Sequence, residues 1–289
     1  MTIQTTDLLI QKANIQQTKF VEGEIDPAAL APGQLLFKVD KFAFTANNIT
    51  YALLGDGFNY WQFFPTAEDG WGKVPVWGFG EVIHSNHNGV KEGERFYGYF
   101  PLSTHLVVEP AKVTGSTFYD GAAHRRELSP IYNQYTNTAT DPAYHPNYEG
   151  LQALLRPLFT TSFLIDDFLA DNGLFGGQTV ILSSASSKTA FGTAFLLHKN
   201  RSERPDYQII GLTSERNTDF VRELGVYDQV LSYQEADQLD SSQSAVFVDI
   251  AGNAHLRSQL HHHYQDKLAY SCLVGASHWD SVASSDALP

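Results

Sequence analysis

The sequence predicts an α/β protein of two domains, a β-rich N-terminal half followed by a parallel, doubly wound sheet. Three observations lead there. Between Pro32 and Pro110 short strand-like segments are separated by turn residues. After Asn172 the texture changes to strands alternating with helices, the pattern of a parallel sheet with crossover helices. The aromatic residues, 19 Phe, 14 Tyr and 4 Trp, fall largely before residue 160, so the halves differ in composition. A chain of 289 residues, 43% of them hydrophobic, is long enough to bury two cores of ordinary size.

Leu35 to Phe44, LLFKVDKFAF, alternates apolar and polar side chains after the turn residues Pro32 and Gly33 and reads as a sheet edge or hairpin arm. In VPVWGFGEV, Val74 to Val82, Gly78 and Gly80 interrupt a strand pattern, which predicts close backbone approach or a bend. Gly89 to Phe100 is a turn and a strand, and Ser103 to Pro110 is a strand stopped by proline. These short strands predict a small barrel or sandwich. Thr114 to Glu149 shows neither period and reads as an extended loop. Leucines and phenylalanines from Leu151 to Leu169 return at helical spacing and predict helices that bridge the halves.

In the second half, Thr179 to Ser184, Tyr207 to Thr213, Asp228 to Ser232, Ala245 to Ile250 and Leu268 to Gly275 read as strands. Helices are predicted over Thr189 to His198, after an N-cap at Ser214 with a stop at Gly225, and over Ala254 to Tyr264.

Composition narrows the function. A formal net charge of −13 repels phosphate backbones and anionic headgroups, which makes nucleic acid a poor partner. No apolar run approaches the roughly 20 residues that span a bilayer, and Met1 to Gln11 does not read as a signal peptide, so a cytoplasmic protein is expected. Cys272 is the only cysteine, which excludes an internal disulfide and any zinc site built on two thiolates. His261, His262 and His263 are consecutive, point three ways on a helix and read as a surface feature; no metal site is expected. Cys272 reads as a small core residue, and the pair Asp166-Asp167 as solvated. No serine sits in a G-x-S-x-G elbow and no H-E-x-x-H pair occurs.

The first strand of the second half runs into SSASSKTAFG, Ser183 to Gly192, where a dinucleotide fold places its phosphate turn. Serine and alanine stand where glycines would. Ser184, Ser186 and Ser187 can donate hydroxyl hydrogen bonds, and Lys188 and Thr189 open the helix; the other reading is a solvated, well-capped turn. At the end of the second strand, Thr213, Ser214 and Arg216 replace the carboxylate that usually holds ribose hydroxyls, which suits a 2′-phosphate, or else an ordinary helix cap.

In order and spacing, PGQLLFKVDKFAFTANNITYALLG (Pro32 to Gly55), VPVWGFGEV, GVKEGERFYGYF, VILSSASSKTAFG (Val180 to Gly192), the segment Ile209 to Tyr233 and VFVDIAG (Val246 to Gly252) resemble the zinc-independent branch of the medium-chain dehydrogenase/reductase superfamily. The resemblance is closest to quinone and enoyl reductases, and closer still to a bacterial subgroup with the same aromatic-rich N-terminal half. It implies a GroES-like β-barrel substrate domain over residues 1–155 and a Rossmann-type domain over 156–289, short at its C-terminus. It also implies hydride transfer from NADPH to a quinone, enone or related small molecule bound in an interdomain cleft, and a possible homodimer. Mapped onto this chain, Asn48 orients a carbonyl and Tyr51 places or protonates the product. Ser184, Ser186, Ser187, Lys188, Thr189, Thr213, Ser214, Arg216 and Tyr233 hold the cofactor, and Asp249 and Gly252 line the strand ends. The turn departs from the family: A-x-G-G-V-G falls on Ala185 to Ala190 without a glycine. That departure motivates the alternative of a non-catalytic binding or regulatory protein of the same fold.

Overall fold

A computed structural model describes residues 1–275. The chain forms two compact units, Met1–Leu154 and a second that begins at Leu155. Of the expected second domain, residues 276–289 lie outside the described residues.

The first unit contains β1 (Ile3–Gln11), β2 (Asn14–Ile25), β3 (Leu35–Ala43), the helix α1 (Ala46–Leu53), β4 (Trp71–Gly72), β5 (Pro75–Ser85), β6 (Arg95–Pro101), β7 (His105–Val108), β8 (Pro110–Ala111), β9 (Thr117–Asp120) and β10 (Gln134–Asn137). They form a three-stranded sheet, β2-β1-β4, and a seven-stranded sheet, β7-β3-β5-β6-β10-β9-β8, with every pairing antiparallel. Backbone bonds from Leu8 to Leu102 (2.8 Å) and from Thr104 to Thr6 (2.9 Å) join the two sheets. Phe37 sits at the centre of the core, its ring 5.4–6.3 Å from those of Phe96, Phe100, Phe118 and Tyr135. Gly78 is glycine for the reason its pattern predicted: a Cβ there would lie 2.3 Å from the carbonyl oxygen of Lys41 on β3.

Two expectations for this unit are corrected. β3 is not an edge, because it is bonded to β7 on one side and β5 on the other. Thr114 to Glu149 is not a loop, since it contains β9 and β10. Its polarity reflects buried polar groups that are satisfied internally: Arg125 is fully buried and bonds Asp120, Asn133, Tyr135 and the carbonyl of Tyr132. The hairpin β1–β2 has no counterpart among the predicted strands, because most of its residues are at least partly exposed and no two-residue period marks it.

Helix α2 (Glu149–Asp171) runs from the first unit into the second as one helix rather than several. It contains Pro157, and the hydroxyls of Thr160, Thr161 and Ser162 bond back to carbonyls four residues earlier. Next come β11 (Thr179–Leu182), α3 (Lys188–Lys199), β12 (Gln208–Thr213), α4 (Thr218–Glu223), β13 (Gln229–Ser232), β14 (Ala245–Asp249), α5 (Ala254–Tyr264) and β15 (Leu268–Leu273). The sheet is parallel with order β13-β12-β11-β14-β15. Both faces are covered, so β11 and β14 are apolar apart from Thr179 at the start of one and Asp249 at the end of the other, and are fully or almost fully buried. The strand order reverses beside β11, so the crevice at the C-terminal ends of β11 and β14 is where such a sheet offers a ligand site. Gly225 ends the segment after α4 at φ +68°. Ser214 makes no side-chain cap, because a 3-10 turn, Glu215–Asn217, comes before α4.

Candidate functional site

The turn after β11 is built from hydroxyls. Ser183 is fully buried; its Oγ donates to Asp249 Oδ1 (2.9 Å) and accepts from the amides of Ile250 and Ala251 (both 2.8 Å), binding the ends of β11 and β14 together. Ser184 then takes a left-handed backbone at φ +53°, a conformation that costs a non-glycine residue about 1–2 kcal/mol. Its amide donates to the hydroxyl of Tyr233 (3.1 Å), which burial pushes up to about 12. Tyr233 is set by a capping box in which the Ser232 amide donates to Glu235 (2.8 Å). Ala185 is tied to β12 by its amide, which donates to Leu212 (3.0 Å), and to Tyr227, whose hydroxyl donates to its carbonyl (3.0 Å).

Ser187 caps α3 by accepting from the amide of Ala190 (3.3 Å). Two residues open the helix beyond it: exposed Lys188 at its first position and buried Thr189 at its second. The first turn of α3 carries no acidic residue, so its partial positive charge is reinforced by Lys188 rather than neutralised. Ser186 bridges to the end of β12, its Oγ 3.5 Å from Thr213 Oγ1 and 3.1 Å from Asn217 Nδ2. Ser214 is half-buried and Arg216 exposed on the turn that follows. The structure thus brings Ser186 to Thr213 and Ser184 to Tyr233. Asn217 joins Ser186 without a signal in the sequence beyond its place in the turn after β12.

Asp249 and Gly252 do not present free groups. The Asp249 carboxylate is fully buried and accepts from Ser183, from the amide of Gly252 (2.9 Å) and from Arg257 (3.2 Å). They brace the strand ends.

In the first unit, Asn48 is committed to the cap of α1. Its Oδ1 accepts from the amide of Thr45 (2.6 Å) and its Nδ2 donates to the carbonyl of Pro75 (2.8 Å). Orienting a substrate carbonyl is therefore not the role its contacts describe. Tyr51, one turn later, is buried and accepts a hydrogen bond from Trp77 Nε1 (3.2 Å); burial pushes its hydroxyl up to about 12. The rings of Tyr60 and Tyr99 lie 4.7 and 5.6 Å from that of Tyr51.

Elsewhere, the three histidines of α5 reach separate partners: His261 to Ser271, His262 to the carbonyl of Ser258 and His263 to that of Leu239. Only His262 is exposed. Asp166 is corrected from solvated to buried, paired with both terminal nitrogens of Arg204 (2.6 and 2.8 Å) and with Asn200 (3.0 Å), whereas Asp167 is exposed. Cys272 is half-buried rather than in the core. Among the described residues no three His, Cys, Asp or Glu side chains form a metal-binding group, and no helix is long and apolar enough to cross a membrane.

A family profile described as "Protein of unknown function (DUF2855)" matches residues 42–287. No curated protein matches the sequence. Among solved structures, CurA from Vibrio vulnificus is 14% identical, with a TM-score of 0.58 over 99% of this chain and 75% of that one. A Mesorhizobium loti protein named as a candidate NADPH:quinone reductase is 13% identical, with a TM-score of 0.56 over 91% of this chain and 72% of that one. The yhdH oxidoreductase of Salmonella enterica, in complex with NADP, is 11% identical, with a TM-score of 0.50 over 98% and 77%. The chain therefore shares the fold of these structures.

Proposed function

We propose that this chain, which belongs to the family described as proteins of unknown function, DUF2855, is an NADPH-dependent, zinc-independent oxidoreductase that reduces a small quinone, enone or related carbonyl compound. The observation that carries the reading is the opening of α3. A capped helix start without an acidic residue, carrying Lys188 at its first position, follows the central strand of a parallel sheet at the point where the strand order reverses. That is a site for an anion such as a pyrophosphate. Fold neighbours include an oxidoreductase in complex with NADP and a candidate NADPH:quinone reductase.

The residues fit the dinucleotide in kind. Helix-opening amides and Lys188 suit the pyrophosphate. Ser186, Thr213 and Asn217 form a hydroxyl and amide cluster at the end of β12, where this chain lacks a ribose-binding carboxylate, and Arg216 supplies a guanidinium for a 2′-phosphate. The bound cofactor would supply a hydride. Ser183 and Asp249 hold the strand ends in register, Tyr233 holds the Ser184 amide, and the second unit serves as the cofactor domain. The first unit serves as the acceptor domain, in which Tyr51, a phenol kept protonated by burial, donates a hydrogen bond to the acceptor carbonyl.

Titration of the purified protein with NADPH and NADH, followed by cofactor fluorescence, tests this reading. Saturable binding that prefers NADPH is expected. Arg216→Ala should weaken NADPH roughly 10-fold and NADH little, since one charge-assisted contact is worth about 1.5 kcal/mol. Equal effects on the two cofactors would remove the 2′-phosphate role. A second reading, a non-catalytic binding protein of the same fold, is favoured by one observation: the Ser184 amide, at the turn where a phosphate would be received, already bonds Tyr233. Folded protein that binds neither cofactor would decide for it.

A further inference from the structure

Two helices of the second unit carry exposed apolar stripes that neither functional reading uses. On α2, Leu155, Phe159 and Phe163 follow one another at four-residue spacing, and on α3 Phe191 and Phe195 do the same, so each set lies along one side of its helix. All five are exposed, the rings by 37–52%. The helices lie side by side. Ser162 Oγ donates to the carbonyl of Thr189 (2.9 Å), and a Cβ on Gly192 would come within 2.6 Å of that Oγ and 3.4 Å of the Phe159 ring. Farther along, Asn200 donates to Asp166 (3.0 Å), so the two helices run in the same sense and their stripes form one apolar face.

Each stripe ends in a charge. The next position at the same spacing is Asp167 on α2 and Lys199 on α3, both exposed and neither in an ion pair among the described residues. The bond between their neighbours Asp166 and Asn200 puts these two charges at the same end of the face. One helix thus offers rings followed by an acid, and the other offers rings followed by a base. Such a face is complementary to a second copy of itself. A two-fold axis along the helices lays α2 of one copy on α3 of the other, ring on ring, and sets Asp167 of each copy opposite Lys199 of the other. The area is of the right order: four phenyl rings of about 150–250 Å² each, exposed to this extent, leave roughly 250–450 Å². That suits the apolar centre of an interface of about 800 Å² a side with a polar rim. The net charge of −13 disfavours an anionic lipid surface as the cover.

We infer that the chain pairs with a second copy of itself through the α2–α3 face, in a two-fold dimer centred on Phe159, Phe163, Phe191 and Phe195 and edged by Asp167 and Lys199. The inference rests on neither cofactor binding nor turnover. It is also distinct from pairing through β15, the edge strand of the parallel sheet, which would not use the stripes of α2 and α3.

Sedimentation velocity of the full chain over roughly 1–100 µM tests it. A reversible dimer is expected. Phe163→Glu should weaken it about 100-fold or more, since it sets a charge in the apolar centre from both copies. The ring is exposed in the single chain, so circular dichroism and the urea midpoint at the lowest concentration should match the wild type. Asp167→Lys and Lys199→Asp should each weaken the dimer about 10-fold, because each reverses two contacts at the rim, and the double variant should recover the wild-type constant. Recovery of association, at an unchanged urea midpoint, is a readout that a merely structural role would not give. A wild type that stays monomeric over the whole range overturns the inference, including one that instead floats with phosphatidylcholine vesicles. A dimer indifferent to Phe163→Glu uses another surface and overturns it too, as does a double reversal that recovers nothing.

Discussion

Lys188→Gln separates a helix built for its own stability from one built for an anion. At the first position of α3 a cation opposes the partial positive charge of the helix end, a cost of about 0.3–1 kcal/mol for an exposed residue. No acidic side chain in the first turn offsets it, and Lys188 forms no ion pair among the described residues. Glutamine keeps nearly the same helix propensity and removes only the charge. The cofactor-free variant should therefore be more stable than the wild type by about 0.3–1 kcal/mol, roughly 1–3 °C in the melting temperature of a unit of this size. Its affinity for NADPH should fall by a factor of roughly 10, the value of one charge-assisted phosphate contact. The gap between wild type and variant should narrow as salt rises from 0.05 to 0.5 M, roughly, because the contact is exposed and screened. Differential scanning fluorimetry with and without NADPH reads both signs in one experiment: the variant melts higher alone and gains less from the ligand. A variant that melts lower alone, or gains as much from NADPH, would refute the assignment of Lys188 to phosphate.

Two further outcomes test the scaffold. Glu149 receives Arg95 through Oε1 and Oε2 (2.6 and 3.1 Å), Lys41 (2.6 Å) and Tyr144 (2.9 Å); these partners outweigh its burial and lower its carboxyl to about 2. Its folded value lies below the unfolded one, so its contribution is complete above about pH 4.5 and is lost as pH falls toward 2; the acid limb of a stability–pH profile should flatten in Glu149→Gln, and an unchanged limb would remove the carboxylate from that role. Phe37→Ala should cost about 3–5 kcal/mol in urea unfolding, because it empties a fully buried site among four other rings, and a loss under about 1 kcal/mol would show that the core collapses around the gap.

The second unit was legible because its strands are covered on both faces and its helices carry stops. Ala254 to Tyr264 is helical over its predicted limits, and β11 and β14 stand out as short, mainly apolar segments. The first unit was legible only where one face of a strand is wet. β3 shows that contrast, with Lys38 exposed between buried Phe37 and Val39, but alternation reports what lies above and below a strand and not what is bonded beside it; hence the mistaken edge. β9 and β10 were invisible for a different reason. Asp120 and Asn137 are buried in them at the cost of a network that satisfies their polar atoms, and a polar residue in a strand pattern looks like a loop until its partner is known. The same blindness applied to Asp166, whose partner Arg204 lies 38 residues away.

The candidate turn makes the chemical version of that argument. Residue types gave the small side chains and Lys188, but not how a glycine-poor turn is held. The structure supplies hydroxyls in place of the missing backbone freedom: Ser183 accepts two amides from the end of β14, Ser186 reaches Asn217, and Tyr233 accepts the amide of Ser184 at its left-handed turn. Each bond needs two residues far apart in sequence, so no local motif could announce it. The left-handed conformation at Ser184 costs about as much as one such hydrogen bond returns. A turn built this way is fixed in advance, and a ligand that used the Ser184 amide would have to displace Tyr233 from it. Lys188 and the opening of α3 carry no such commitment, which is why they are the more discriminating place to look for a phosphate.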